Sequence, residues 1–271
     1  MPPGAGKVAS SAWFVLALLA VVNGLLAPEI SLERQQSTQE ILNRVYGGIH
    51  AGTSGDNDAT TWNDRRSQAI EVSQTDGLDL EMPNHMTVYG ELGLGALITL
   101  LNAVGVNQEG DRLLDIGSGD GMLVAGASML LAENLEVSRG VEILPTLHER
   151  AQSFVAEAEE HATAANLPLC RTELFLGDIF HPTPDLQQIL HETTLALCFA
   201  TTWSRGEPKR RLPQLSQALG HGGISALPPK ARLVIIDGLL DEQDGFTFEG
   251  QLRLYCPDTA PYSIARLYIR K

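Results

Sequence analysis

The segment Leu113-Leu114-Asp115-Ile116-Gly117-Ser118-Gly119-Asp120-Gly121 constrains this chain more than any other. An apolar run ends in an acid, turns through three alternate glycines and enters a second apolar run, Met122 to Ala132. That pattern reads as strand, tight turn and helix, because glycines tolerate left-handed backbone angles and let a ligand approach the main chain closely. The turn falls at the carboxyl end of the first strand of an alternating series, where ligands of doubly wound sheets sit. A dinucleotide-type GxGxxG needs glycine at the position held by Met122, and no Lys-Ser or Lys-Thr follows as in a phosphate-binding Walker loop. An acid at the head of the turn repels pyrophosphate and suits an amino acid ammonium. S-adenosylmethionine carries that ammonium and no phosphate. Asp115, Gly117, Ser118, Gly119 and Gly121 are therefore read as contacts to its methionine end. The alternative is a strand-to-helix turn without a cofactor.

Around this turn the expected strands are Arg112–Ile116, Ser138–Glu142, Glu173–Leu176, Thr194–Phe199 and Arg232–Asp237. Helices are expected near Leu92–Val104, Gly121–Glu133, Thr146–Asn166 and Glu207–Ala218. Gln251–Cys256 and Tyr262–Ile269, separated by Pro-Asp-Thr-Ala-Pro, read as an antiparallel hairpin. The expected fold is α/β: a doubly wound, Rossmann-like, seven-stranded sheet, mostly parallel, with the hairpin at its C-terminal edge. A catalytic domain is placed at residues 88–271, a helical extension with a lid loop at 31–87, and a leader at 1–30. The apolar run Ala12 to Ala27 is short for a bilayer span and contains Asn23 and Gly24, so it reads as a signal or organelle-targeting leader. A buried N-terminal helix is the competing reading, and would leave the chain in the nucleus or cytoplasm. Membrane contact is expected only through this leader.

Two further acids stand where the cofactor would continue. Glu142 closes Gly140-Val141-Glu142 at the end of the second strand, where a carboxylate can accept both ribose hydroxyls. On that reading Glu142 touches only ligand, and its loss opens no core. Asp178, in Leu176-Gly177-Asp178-Ile179-Phe180, is placed to accept the adenine amine, with Ile179 or Phe180 covering the ring. Methyl transfer is an in-line displacement that needs alignment and exclusion of water rather than strong acid–base groups. Thr201, Thr202 and Trp203 after the fourth strand either line an acceptor channel or close a polar strand end; the two readings stand level.

The net charge of −14 disfavours direct nucleic-acid binding, and Lys209-Arg210-Arg211 is too short a basic run to reverse that field. Cys170, Cys198 and Cys256 lack CxxC spacing, and the histidines form no close cluster, so no metal is expected.

The glycine turn, Gly140-Val141-Glu142 and Gly177-Asp178, preceded by Val88-Tyr89-Gly90-Glu91-Leu92 and a helix, resemble the disruptor-of-telomeric-silencing group of histone lysine methyltransferases. The likeness runs from about Val88 to Leu240. It implies a class I methyltransferase using S-adenosylmethionine, with a protein as the methyl acceptor. It also implies that Tyr89 and Glu91 approach the cofactor, Glu91 near its methionine end, and with Thr201 and Thr202 they form the expected catalytic set. The Asp-x-Gly-Ser-Gly-Asp-Gly core is similar, too, to organellar lysine methyltransferases with apolar N-terminal segments. A Phe199-Ala200-Thr201-Thr202-Trp203 sequence stands where the histone-directed group has Asn-Asn-Phe, so a non-histone protein or a small molecule is the alternative acceptor.

Overall fold

A computed structural model of the chain describes residues 30–46, 92–106, 110–200, 210–256 and 260–271. The proposed leader and lid loop, and the candidate residues Tyr89, Glu91, Thr201 and Thr202, lie outside them.

Helix α1 (Leu32–Tyr46) precedes α2 (Leu94–Val104), β1 (Asp111–Ile116) and α3 (Met122–Leu130). Next come β2 (Leu135–Glu142), α4 (Pro145–Ala164), β3 (Arg171–Leu176), α5 (Pro184–Glu192) and β4 (Leu195–Phe199). Helix α6 (Pro213–Leu219), β5 (Arg232–Ile236), β6 (Phe246–Cys256) and β7 (Ala260–Arg270) complete the series. The strands form one seven-stranded sheet of order β3-β2-β1-β4-β5-β7-β6. Strands β1 to β5 are parallel, while β7 runs antiparallel to both β5 and β6, as the hairpin reading requires.

The core lies on both faces of this sheet, which is why the inner strands are almost continuously apolar. Leu113, Leu195, Leu197 and Val234 pack with α1 to α4. Their neighbours Leu114, Ala196, Cys198 and Ile235 point the other way, toward α5 and α6. This period of two fixes the facing of the residues at the strand ends. Asp115 therefore shares the face of Leu113, and register places it opposite Gly140 of β2 and Leu197 of β4.

Several elements differ from expectation: β2 starts at Leu135 and β6 at Phe246, ahead of the expected Ser138 and Gln251. Helix α5 was not anticipated: Thr183 caps it by accepting the Leu186 N–H, and Pro184 occupies its first turn. Only Leu186, Ile189 and Leu190 are buried in it, a stripe too short to register as a long periodic run. Helix α6 begins at Pro213, and Arg210 to Leu212, expected within it, are not α-helical, because a residue preceding proline is held away from helical angles, and Leu212 sits at φ −122°, ψ 68°. The expected start at Glu207 lies outside the described residues. Strand β5 ends at Ile236, since Asp237 adopts φ 59°. Among the described residues no helix is long and apolar enough to cross a membrane.

Candidate cofactor site

The glycine turn is built at the carboxyl end of β1. The N–H groups of Gly117 and Ser118 both donate to the Val141 carbonyl, at 2.9 and 3.0 Å, so the turn is tied to the end of β2. Gly117, Gly119 and Gly121 all have positive φ, at 80°, 53° and 80°. An L side chain at any of them would be strained. The second reason for glycine is space: a Cβ on Gly121 would lie 2.8 Å from Val155 and 3.2 Å from Ala151 of α4. On β2, a Cβ on Gly140 would lie 2.7 Å from the Ser118 side chain and 2.9 Å from Val124. Ser118 thus rests on the bare backbone of Gly140, which holds the turn low over the sheet.

Asp115 is buried, and no described residue donates a hydrogen bond to its carboxylate. Burial, with the charge of Glu142 nearby, pushes its pKa up to about 7. A buried acid to which no described residue donates, held next to a second acid, is stabilised by a cationic ligand group. The arrangement fits the ammonium end of S-adenosylmethionine.

Glu142 has a duty that the sequence did not reveal. Its Oε2 accepts the Gly119 N–H at 2.9 Å, and its Oε1 accepts the N–H groups of Ile143 at 2.9 Å and Leu144 at 3.0 Å. Burial raises its pKa, and these three donors oppose the rise. A carboxylate offers about four acceptor positions, so these donors leave one open on Oε2, fewer than the two that the expected contact to both ribose hydroxyls calls for. Glu142 is therefore a strut between the turn and the start of α4 as well as a ligand candidate, and the expectation that its loss opens nothing is corrected.

Asp178 stands at the third strand end. Its Oδ1 accepts the Phe180 N–H at 2.8 Å, and its Oδ2 lies 2.8 Å from Nδ1 of exposed His181. Ile179 is buried and its carbonyl accepts the Ser225 hydroxyl, which fixes the segment against the loop after α6. The Gly177 N–H donates to the Glu142 carbonyl at 2.9 Å, so the second and third strand ends are joined.

All eight candidate cofactor residues therefore come to one edge of the sheet. Asp115, Glu142 and Asp178 follow the strand order β1, β2, β3 along it, which suits a ligand extended from amino acid through ribose to adenine. The candidate catalytic residues lie outside the described part; the remaining parallel strand ends that are described are those of β4 and β5. There the Ala200 N–H donates to the Ile236 carbonyl at 3.0 Å. Buried Asp237 accepts the Ile264 N–H at 2.9 Å and pairs with Arg210 at 3.0 Å, so Arg210 is more than the solvated charge its basic run implied. Sequence reasoning also passed over Asp120, Arg150 and Tyr46. Buried Asp120 takes an ion pair from Arg150 at 2.8 Å on its carboxylate and a hydrogen bond from the Tyr46 hydroxyl at 3.4 Å on its carbonyl. No local pattern announces contacts between residues 30 and 74 positions apart.

The profile of the family described as histone methylation protein DOT1 matches residues 71–204, just under half of the chain. No curated protein matches the sequence. Among solved structures, the chain is similar to TrmN from Thermus thermophilus, at 18% identity and a TM-score of 0.41 over 66% of this chain and 48% of that one. The chain thus spans about half the length of TrmN. It is also similar to an S-adenosylmethionine-dependent methyltransferase from Aquifex aeolicus, at 14% identity and a TM-score of 0.44 over 79% and 99% of the two chains. Magnesium protoporphyrin IX methyltransferase from Synechocystis PCC 6803, crystallised with S-adenosylhomocysteine, gives 11% identity and a TM-score of 0.42 over 79% and 100%.

Proposed function

We propose that this chain, a class I S-adenosylmethionine-dependent methyltransferase resembling the DOT1 histone methylation group, methylates a lysine side chain of a protein. The observation that carries the enzyme reading is the row of Asp115, Glu142 and Asp178 beside a glycine turn that closes on β2. The protein acceptor is supported by the family match, and the net charge of −14 weighs against a nucleic-acid acceptor.

When bound, S-adenosylmethionine supplies a methyl group activated by a sulfonium. Asp115 meets the positive methionine end with a buried carboxylate, and the charge it gains there is offset by the ligand's own. Glu142 fixes the Gly119 N–H and keeps one acceptor position for the ribose. Asp178 and Ile179 form the adenine end. Lysine must arrive uncharged, so the acceptor side has to exclude water and align the amine in line with the leaving sulfur. Tyr89, Glu91, Thr201 and Thr202 are our candidates for that task. The leader reading places the enzyme in the secretory pathway or an organelle, and favours a non-histone acceptor.

The test is to incubate the purified chain with methyl-labelled cofactor and a cell extract, then separate protein, nucleic acid and small molecules. Label on protein lysine is expected. Label confined to RNA or to small molecules would overturn the acceptor assignment.

A further inference from the structure

We infer that Tyr46, Arg150 and Asp120 form a brace behind the glycine turn, so that the N-terminal helix α1 positions the cofactor site. The inference rests on the reading of that turn as the cofactor site.

The turn has two sides. One faces the strand ends, where Asp115 and Glu142 stand; the other is pressed against α4 and the last residue of α1. Asp120 belongs to the second side. It is buried, and its carboxylate is engaged by Arg150 Nη2 at 2.8 Å. The peptide group between Asp120 and Gly121 is gripped at both ends. Its carbonyl accepts the Tyr46 hydroxyl at 3.4 Å, and its N–H donates to the Ser118 carbonyl at 2.8 Å.

The orientation of this peptide bears directly on the left-handed φ of Gly121, and the Gly119 N–H that Glu142 accepts lies two peptide units earlier in the same turn. Phe154 joins the two braces. Its ring meets the Tyr46 ring edge-on at 5.2 Å, and the Arg150 guanidinium lies 5.9 Å from its centroid. Tyr46 is fully buried, and α1 packs on both α3 and α4. Arg150 has an electrostatic part as well: Asp120 is close enough to Glu142 to raise its pKa, and the guanidinium balances that third acid. A helix outside the alternating α/β series thereby becomes part of the machinery that shapes the turn. Tyr46 and Arg150 are positioning residues, acting on the ligand only through the turn.

The experiment uses the full chain and three substitutions. Tyr46→Phe keeps the ring contact and removes the hydroxyl, Arg150→Gln removes the ion pair, and Arg150→Lys retains a charge. S-adenosylhomocysteine affinity is measured by calorimetry, and exchange of the Gly119 and Gly121 amides is followed in the ligand-free protein. Tyr46→Phe should weaken binding roughly three- to tenfold, and Arg150→Gln roughly tenfold or more, since a neutral and a charge-assisted bond are lost. Arg150→Lys should recover much of the loss, and turn exchange should accelerate in the two damaging variants. Arg34→Gln cuts a tie between α1 and Glu133, away from the turn, and should leave turn exchange unchanged. Lower melting temperatures with unaltered affinity and turn exchange would overturn the brace and leave plain packing. An equal turn response in Arg34→Gln would overturn it as well. If the unmodified chain takes no S-adenosylhomocysteine, the cofactor reading fails; turn exchange alone then decides the brace, faster exchange supporting it and unchanged exchange refuting it.

Discussion

Replacing Glu142 separates its two duties. Glu142→Ala removes the acceptor for three backbone N–H groups, those of Gly119, Ile143 and Leu144, of which Gly119 and Leu144 are buried. Each orphaned buried donor costs about 1–3 kcal/mol, and water entering the vacated space recovers part of it. Removal of a carboxylate whose burial already raises its pKa offsets a further part. The net loss should be about 2–4 kcal/mol, a fall in melting temperature of about 5–15 °C for a chain of this size. Glu142→Gln keeps the two bonds to Oε1 and fails only at Gly119, so about 1–2 kcal/mol is expected. Scanning calorimetry of the ligand-free proteins reads these losses, and titration with S-adenosylhomocysteine reads the ligand duty in whatever remains folded. A Glu142→Ala protein melting within about 2 °C of the parent would refute the strut.

Gly140→Ala forces a Cβ to within 2.7 Å of Ser118 and 2.9 Å of Val124, and should cost about 1–3 kcal/mol while lifting the turn, read as a lower melting temperature together with weaker cofactor binding. Gly119→Ala places an L residue at φ 53°, a strain of about 1–2 kcal/mol, and should weaken S-adenosylhomocysteine binding by more than this strain alone explains. Asp115 titrates near 7 when folded, above its unfolded value of about 3.9, so its contribution to stability is full below about pH 4 and is lost as pH rises through about 7. A cationic ligand favours the ionised form, so binding should tighten with rising pH and release a proton below pH 7, with both effects absent in Asp115→Asn; calorimetry in buffers of different ionisation enthalpy measures this. A reporter fused to residues 1–30 should enter an endomembrane or organelle compartment, and a diffuse cytosolic and nuclear signal would remove the leader reading.

The fold was legible where chemistry is local. Leu113, Leu114 and Ile116 are apolar because both faces of β1 are covered, and the glycines that follow are dictated by positive φ, so strand and turn can be read directly. The hairpin followed from a Pro-rich turn between two runs without helical period. Helix α5 was missed because three buried residues carry its packing. The end of β5 was misplaced because Asp237 looks like one more strand residue, yet turns to reach Ile264 and Arg210. At the site, residue types that contact ligand could be inferred from the turn and the strand ends. Those that hold the turn could not, since the Glu142 contacts to Gly119 and the grip of Tyr46 on Asp120 are made only by the folded chain.

The most direct test of the cofactor site is calorimetric titration of the purified chain with S-adenosylhomocysteine, alongside ATP and NADH. Saturable one-site binding of S-adenosylhomocysteine is expected, with no heat from the two phosphate-bearing ligands, because the buried acids Asp115 and Glu142 beside the turn would repel a phosphate. Absence of binding by S-adenosylhomocysteine, or equal binding of ATP or NADH at the same site, would contradict the assignment.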